Sequence, residues 1–371
     1  MLIWLDPSVL DADLNANINA THGIDCIICS AHRGEHFVIG DRHTLIELQK
    51  NKALSLTSRA ALGHIIANYA NLAAFSRTLA TRITASHNKH GAPLKINATT
   101  WELPIETIGQ IGISKAVLVA ENLNDAHLFE HAALQYKARG KLFGAISITK
   151  LGGGGSTTPD CLNDHVTKEK RWVLCISDSD RLHPEQSMDL TAQKCAAIAA
   201  TFGTVCEYQD IKAREIENII PFKFLEEAIP PTHAYPWDQH CKQVLTAAPE
   251  AHEYGDLKSG TDLRKIFAYS VGSPQKIFWI NIANTLQKAG NISLNCLAGG
   301  TCASSKHGQP CTCIVIHGYG EKILEAVVDN LSKRTPQKSC EMIKNDPNQE
   351  HWFGIGKRVF EWGCALPRIR S

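Results

Sequence analysis

The sequence lacks an excess of charge of either sign and lacks any long apolar run. Its 371 residues include 38 Lys and Arg against 37 Asp and Glu, for a formal net charge of +1. That balance excludes a protein that coats nucleic acid by charge alone, although a locally basic channel stays compatible with it. No apolar run reaches the length of a membrane span, and the N-terminal stretch MLIWLDPSVLDADLNAN is too acidic and broken for a signal peptide. We therefore expect a cytoplasmic protein without a membrane partner.

The sequence also lacks a Walker phosphate-binding loop. The apolar run GAISITKL ends in four glycines, at 152–155, but Ser156 follows them where a Walker loop has Lys and then Ser or Thr. The glycines therefore do not indicate binding of a nucleoside triphosphate. Any ATP-dependent sensing would have to come from a separate protein.

The 13 cysteines are an odd number, which is awkward for a secreted disulfide framework and favours reduced thiols. Four of these cysteines lie in a Gly-rich, polar stretch that also contains His307 and His317. Thiolates in such a loop can hold a structural Zn²⁺, but the spacing lacks paired C-x-x-C motifs. A zinc site and free, buried cysteines both stay open for these residues, which are Cys296, Cys302, Cys311 and Cys313.

The pattern along the chain predicts an α/β protein of three parts. Residues 1–113 mix short apolar runs (DCIIC, HFVIG) with a helical stretch, and HNKHGAPLKINATTWELPIET is the expected connection that follows. Residues 114–228 alternate four apolar strands with helices, which predicts a parallel sheet with flanking helices. The stretch AIPPTHAYP is a predicted linker, and 229–371 is predicted to be mainly helical around the Cys-rich loop.

Three consecutive strands of the middle part end in residues suited to phosphate chemistry. The first ends in Glu121, the second in the glycines, and the third in Asp178-Ser179-Asp180. Ligands of open parallel sheets bind at the carboxyl ends of the strands, and residues two apart on a strand point the same way. The two aspartates can then face one Mg²⁺ or Mn²⁺ ion, which suits phosphodiester cleavage.

The glycines then have a predicted task beside this metal, because they let a phosphate approach the backbone. The exposed N–H groups of the loop and the following helix N-terminus are the predicted phosphate donors. A basic residue after the fourth strand is a further candidate. The predicted phosphate contacts are Gly153, Gly154, Gly155, Ser156 and Arg214.

This order of motifs resembles a TOPRIM domain, the metal-binding fold of topoisomerases, bacterial primases and OLD-type nucleases. The resemblance covers residues 115–228, and AREIENIIP after the fourth strand is similar to a segment of TOPRIM-like nucleases of prokaryotic antiviral defence. It implies a Mg²⁺- or Mn²⁺-dependent nuclease, acting on DNA or RNA as an antiviral effector. By position, it implies Glu121 as general acid/base or metal ligand, Asp125, Asp178 and Asp180 as metal ligands, and Glu217 as an accessory catalytic acid.

Two other functions remain open from the sequence. In a Mn²⁺-dependent nucleotide-sugar transferase, Asp178-Ser179-Asp180 would hold a diphosphate. In a non-catalytic module, the chain would only bind nucleic acid or a partner, and the Trp-rich tail HWFGIGKRVFEWGCALPRIRS would be a candidate surface. The plainest alternative for the acids is a solvated strand end, with Asp180 capping a turn and Asp125 in the first turn of its helix.

Overall fold

A five-stranded sheet organises the first third of the chain. The computed structural model describes residues 1–87, 91–290, 294–302 and 311–369. The strand order is β2-β1-β3-β5-β4, parallel except where β4 meets β5. Its central strands are almost wholly buried, as expected for parallel strands covered on both faces. The strands are β1 (Leu2–Leu5), β2 (Phe37–Gly40), β3 (Arg82–Ser86), β4 (Leu94–Asn97) and β5 (Thr100–Pro104).

The two short apolar runs of this region fold differently, one within a helix and one within a strand. The run DCIIC lies within α1, whereas HFVIG contains β2. The helices are α1 (Ile18–His32), α2 (Arg42–Lys50), α3 (Leu56–Ala67), α4 (Tyr69–Ser76) and α5 (Ile105–Ile111).

The predicted connection after this region is wrong, because it contains β4 and β5. Trp101 and Leu103 of β5 are fully buried. Burial of these two side chains favours a strand more than the polar residues around them favour a loop. Pro104 is tolerated because it is the last residue of its strand. Residues 88–90 of this stretch lie outside the described part of the chain.

A second sheet confirms the predicted alternation of strands and helices. Its order is β10-β9-β6-β8, and β6 runs parallel to both β8 and β9. All five residues of β6 are buried, and its apolar side chains pack against those of β9. The elements are β6 (Ala116–Ala120), α6 (Leu123–Arg139), β7 (Ala145–Ile146), β8 (Ile148–Gly152), α7 (Thr158–Asn163), β9 (Val173–Ser177), α8 (Leu190–Ala199) and β10 (Cys206–Asp210). The α/β prediction is thus confirmed.

The chain forms two compact units, each built from segments that are separate in sequence. The first unit comprises 1–176, 194–209 and 353–371, and the second comprises 177–193 and 210–352. The predicted boundaries after residues 113 and 228 fall inside these units. Both sheets described above belong to the first unit, except for Ser177 and Asp210, the last residues of β9 and β10.

The second unit is mainly helical and has one small antiparallel sheet, in which β11 pairs with β12. The predicted linker AIPPTHAYP contains a 3₁₀ turn, Pro231–His233, and the start of a helix. The elements are α9 (Phe222–Ala228), α10 (Ala234–Gln239), α11 (Leu245–Ala247), α12 (Glu250–Tyr254), β11 (Thr261–Asp262), α13 (Leu263–Ala268), α14 (Pro274–Lys288), β12 (Ile314–Ile316), α15 (Ile323–Ser332) and α16 (Pro336–Met342).

The Trp-rich tail is part of a core and not a free surface. It forms α17 (Gln349–Gly363) and β13 (Cys364–Ala365), and β13 pairs with β7. Trp362 is fully buried, stacks edge-on against Trp101 and donates to Glu207 Oε2 over 3.0 Å. No helix within the described ranges is long and apolar enough to cross a membrane.

Candidate active site in the second unit

Asp125 has a structural task that the sequence offered as the alternative to metal binding. Asn122 N–H donates to Asp125 Oδ2 over 3.0 Å, and Asp125 N–H donates to Asn122 Oδ1 over 3.1 Å. This capping box closes the N-terminus of α6, and Asp125 is buried there. The structure thus gives Asp125 a capping role, and its ligand role stays a prediction. Glu121 directly follows β6 in the first unit and is half-buried.

The glycine loop also differs from its predicted role. The N–H groups of Gly153, Gly154 and Gly155 donate to the carbonyl oxygens of Ala120 and Glu121, over 2.7, 2.8 and 3.2 Å. These three N–H groups are therefore engaged inside the chain, and a phosphate cradle built on them is wrong. Neighbouring backbone leaves no room for a side chain at Gly152 and Gly153, whereas Gly155 has no atom within 4 Å of its Cβ position.

The glycine loop packs closely at Gly153 and is exposed at Ser156. A Cβ atom on Gly153 would lie 2.5 Å from Thr158 Oγ1, so the loop packs on the start of α7 without room for a side chain. Ser156 is exposed, and its contact with a phosphate stays a prediction.

The Asp-Ser-Asp stretch lies in a hydrogen-bonded loop after β9. Asp178 Oδ1 accepts the N–H of Ile216 over 2.8 Å, while the N–H groups of Ser179 and Asp180 donate to the Arg214 carbonyl. Asp180 is exposed and has a φ of 51°, in the left-handed region. The alternation expected of a strand does not apply here, because β9 ends at Ser177. The two aspartates therefore have different surroundings.

A lysine that the sequence did not indicate binds the buried acids of this unit. Lys258 Nζ lies 2.8 Å from Glu217 Oε1 and 3.4 Å from Glu215 Oε2. Glu217 is fully buried, and Glu215 is 8% exposed. The negative charge of Asp178 also favours the charged form of Lys258, and so raises its pKa. Among the described residues, Glu217 Oε2 has no hydrogen-bond partner.

The surroundings shift the proton affinities of these groups. Burial raises the pKa of Glu217 to about 7, and the neighbouring Glu215 adds to that effect while Lys258 opposes it. Burial disfavours the charge on Lys258, but Glu217 and Glu215 outweigh it and raise the lysine pKa. Burial, then Asp189 and Glu215, raise the pKa of Asp180. The site therefore holds more negative charge than its cations offset.

Arg214 lies beside two carboxylates, and its phosphate contact stays a prediction. Its Nε lies 3.1 Å from Glu215 Oε1 and its Nη2 lies 3.7 Å from Asp256 Oδ2. Lys265 Nζ lies 3.6 Å from the same Asp256 oxygen. We call this group of charged side chains the acidic cluster; it comprises Asp178, Asp180, Glu215, Glu217 and Asp256 with Arg214, Lys258 and Lys265.

Comparison with known proteins adds no relative for this chain. The chain matches no protein-family model, no curated protein and no solved structure. The TOPRIM resemblance therefore rests on the sequence motifs alone. The chemistry of the acidic cluster rests on its own residues.

The sequence indicated only part of the acidic cluster. Glu215 lies in the quoted stretch AREIENIIP beside Glu217, but the pattern did not single it out. Lys258 lies in the stretch DLKSG, where Asp256 Oδ1 accepts the N–H groups of Lys258 and Ser259 over 3.1 and 2.7 Å. The residues of that stretch are typical of a turn, which predicts that its lysine is exposed. No feature of the stretch indicates that Lys258 contacts buried acids.

The carboxylate oxygens of the acidic cluster lie farther apart than the ligand oxygens around a bound metal ion. Within the described residues, the only three His, Cys, Asp or Glu side chains with ligand atoms mutually within 4.8 Å are cysteines. The cluster nevertheless offers hard oxygen donors, the type that Mg²⁺ and Mn²⁺ prefer. The donor chemistry fits such an ion, and its carboxylates would have to draw together around it.

Proposed function

We propose that the chain is a divalent-metal-dependent nuclease whose reaction centre includes the acidic cluster. The observation that carries the proposal is Glu217, a fully buried carboxylate with one oxygen lacking a partner among the described residues. Five carboxylates share three cations there, which leaves an excess of negative charge. Uncompensated charge of this kind is costly in a folded protein and marks functional sites.

The residues divide into ligands and a positioning cation. Asp178 and Glu217 would hold a Mg²⁺ or Mn²⁺ ion, with the exposed Asp180 as a further ligand. Such an ion offsets charge developing on a transferring phosphate and lowers the pKa of bound water. Lys258 keeps Glu217 and Glu215 in place and supplies positive charge beside the phosphate.

The role of Glu121 stays a prediction from the resemblance, because this residue belongs to the first unit. The substrate class, DNA or RNA, likewise comes from the resemblance, as does a role in antiviral defence. The proposal includes a cytoplasmic location, where the 13 cysteines would stay reduced. A separate ATPase or sensor protein would supply any ATP dependence.

A cleavage assay on the purified chain tests the proposal. Plasmid, single-stranded DNA and total tRNA are incubated with Mg²⁺ or Mn²⁺, using the native chain and the variants Asp178→Asn, Glu217→Gln and Glu121→Gln. We expect cleavage that EDTA stops and added Mg²⁺ restores. Loss of a ligand in the acidic cluster should lower the rate by about 100-fold or more. The matched control is Asp329→Asn, an exposed acid on α15.

Lys258 needs a variant that separates folding from chemistry. Lys258→Met leaves buried carboxylates unpaired, which costs about 3–5 kcal/mol of folding free energy. Lys258→Arg retains the charge, so a folded Lys258→Arg chain with slow cleavage would identify a positioning role. Unchanged cleavage by Asp178→Asn and Glu217→Gln would contradict the proposal. Binding of a nucleotide sugar without cleavage would favour the transferase instead.

A further inference from the structure

Four cysteines of the second unit lie together at the start of β12. The Sγ atoms of Cys296, Cys311 and Cys313 all lie within 4.8 Å of one another. Cys302 is 3% exposed, and its thiol is hydrogen-bonded to the thiol of Cys311. From the sequence alone, a zinc site and free thiols both stayed open. We infer that these four cysteines form a structural zinc site.

The sulfur positions suit a tetrahedral ion. Zn²⁺ bound to four thiolates through bonds of about 2.3 Å places the sulfurs about 3.8 Å apart. The three sulfurs within 4.8 Å of one another would therefore move inward by no more than about 1 Å. None of the four cysteines forms a disulfide.

Backbone N–H groups point at two of these sulfurs. Cys296 N–H donates to Cys313 Sγ over 3.4 Å, and the backbone N–H of Arg264 donates to Cys311. Such donors favour the thiolate, the form of cysteine that binds a metal, and they oppose the burial that raises the pKa of the Cys311 thiol. The Cys313 carbonyl accepts from Leu263 N–H over 3.0 Å, which holds the segment just before β12 that contains two of the ligands. The Cys311 thiol also donates to the Cys313 carbonyl over 4.0 Å, a hydrogen bond that metal binding would replace.

The surrounding elements are too short to hold this region by themselves. The β11–β12 sheet has strands of two and three residues, and the described residues 294–302 form turns and irregular backbone. A metal joining Cys296 and Cys302 to Cys311 and Cys313 would tie this stretch to the strand. His307, a second type of ligand in the sequence, lies outside the described residues.

The zinc site is distinct from the metal proposed for cleavage. Thiolates are soft ligands that select Zn²⁺, whereas the carboxylates of the acidic cluster suit Mg²⁺ or Mn²⁺. Cys302, Cys311 and Cys313 are buried, and a closed four-sulfur site leaves no open position for a substrate. Its task is therefore to stabilise the fold.

Metal analysis of the full-length chain tests this inference without using activity. The chain is purified without chelators, and its metal content is measured by mass spectrometry. We expect about one zinc ion per chain, released when a mercurial reagent modifies the thiols. Co²⁺ exchanged into the site should give the d–d absorption of a tetrahedral thiolate complex. Cys302→Ser and Cys313→Ser should lose most of the zinc, whereas Cys241→Ser, in the same unit, should keep it.

Several outcomes would overturn the inference. A native chain that is folded and contains no zinc, and that takes up no Co²⁺ with thiolate absorption, would show that the cysteines are simply buried thiols. Disulfides between these cysteines, found by peptide mapping under non-reducing conditions, would overturn it as well. If the Ser variants do not fold, the zinc content and Co²⁺ spectrum of the native chain still decide. Cleavage that fails while zinc is bound would count against the nuclease only.

Discussion

Glu217 shows how a single buried residue can indicate chemistry. A carboxylate in a core normally has all its oxygens satisfied, because an unpaired charge there is strongly destabilising. Glu217 shares Lys258 with Glu215, and its pKa is raised to about 7 by burial. A raised carboxyl pKa means that stability is lost as the pH rises from about 4.5 to about 7. A cation bound to Glu217 would reverse this loss, because it favours the charged form.

His252 leads to a prediction about stability in acid. Burial lowers its pKa to about 4, and His240 Nε2 lies 3.0 Å from its Nδ1. The folded state therefore binds fewer protons than the unfolded state between pH 4 and the usual value of 6.5. Stability should fall by roughly 3 kcal/mol as the pH drops through that window. The buried His240, whose pKa is also lowered, adds a loss of the same sign.

The measurement is urea unfolding of the second unit, followed by tryptophan fluorescence between pH 4 and 7. His252→Gln should be less stable at pH 7. Its unfolding free energy should also depend less steeply on pH, by the uptake of about one proton on unfolding. His351→Gln removes an exposed histidine from the same unit and should keep the native slope. An equal slope for native chain and His252→Gln would show that His252 is not the titrating group.

The glycine loop, taken as an element, is shaped by packing and not by a ligand. A Cβ atom on Gly153 would lie 2.7 Å from the Cα of Thr158, which is backbone and cannot move aside. Gly155, with a φ of +64°, has no atom within 4 Å of its Cβ position. We therefore expect Gly153→Ala to cost about 3 kcal/mol or more. Gly155→Ala should cost only the left-handed penalty of about 1–2 kcal/mol.

Thermal unfolding of the two variants gives this ranking directly. Because the three glycine N–H groups are bound inside the chain, a folded Gly155→Ala chain should also cleave nucleic acid at the native rate. Equal destabilisation of both variants, or loss of cleavage confined to Gly155→Ala, would return the loop to a role in phosphate binding.

At the same scale, apolar patterning predicted some elements and not others. The strands β6 and β9 are continuous apolar runs between turns, which is the pattern of strands buried on both faces. The run DCIIC has a similar composition but belongs to the 15-residue helix α1, because its four consecutive apolar residues fit either period. β5 was missed because proline and polar residues surround the buried Trp101, and only tertiary packing shows that it is a central strand.

The acidic cluster could be predicted only where its residues follow strands or a quoted motif. Asp178 comes directly after β9 and Glu217 lies in AREIENIIP, so position along the chain indicated both. Lys258 comes from a later turn whose residues show no pattern. Its approach to Glu217 is a long-range contact, which no local rule contains. The capping box of Asp125 is, by contrast, a local contact with Asn122, of the kind that a sequence rule contains.

At the scale of the whole molecule, each unit is assembled from distant segments. Residues 353–371 return to the first unit, and there Val359, Phe360 and Trp362 of α17 are fully buried. Phe360 contacts Phe75 and Tyr136, which come from two other helices. The three buried side chains contribute together roughly 5–9 kcal/mol, which is comparable to the net stability of a domain. The first unit should therefore depend on its last segment.

Removing residues 353–371 tests that dependence, with point variants of α17 beside it. The shortened chain should lose the near-ultraviolet circular dichroism and the protease resistance of the first unit. Phe360→Ala in the full chain should cost about 3–5 kcal/mol by leaving a cavity. Lys357→Ala, at an exposed position of the same helix, should stay within about 0.5 kcal/mol of the native chain. If Phe360→Ala left stability unchanged and weakened nucleic-acid binding instead, the tail would be the binding surface that its aromatic residues first indicated.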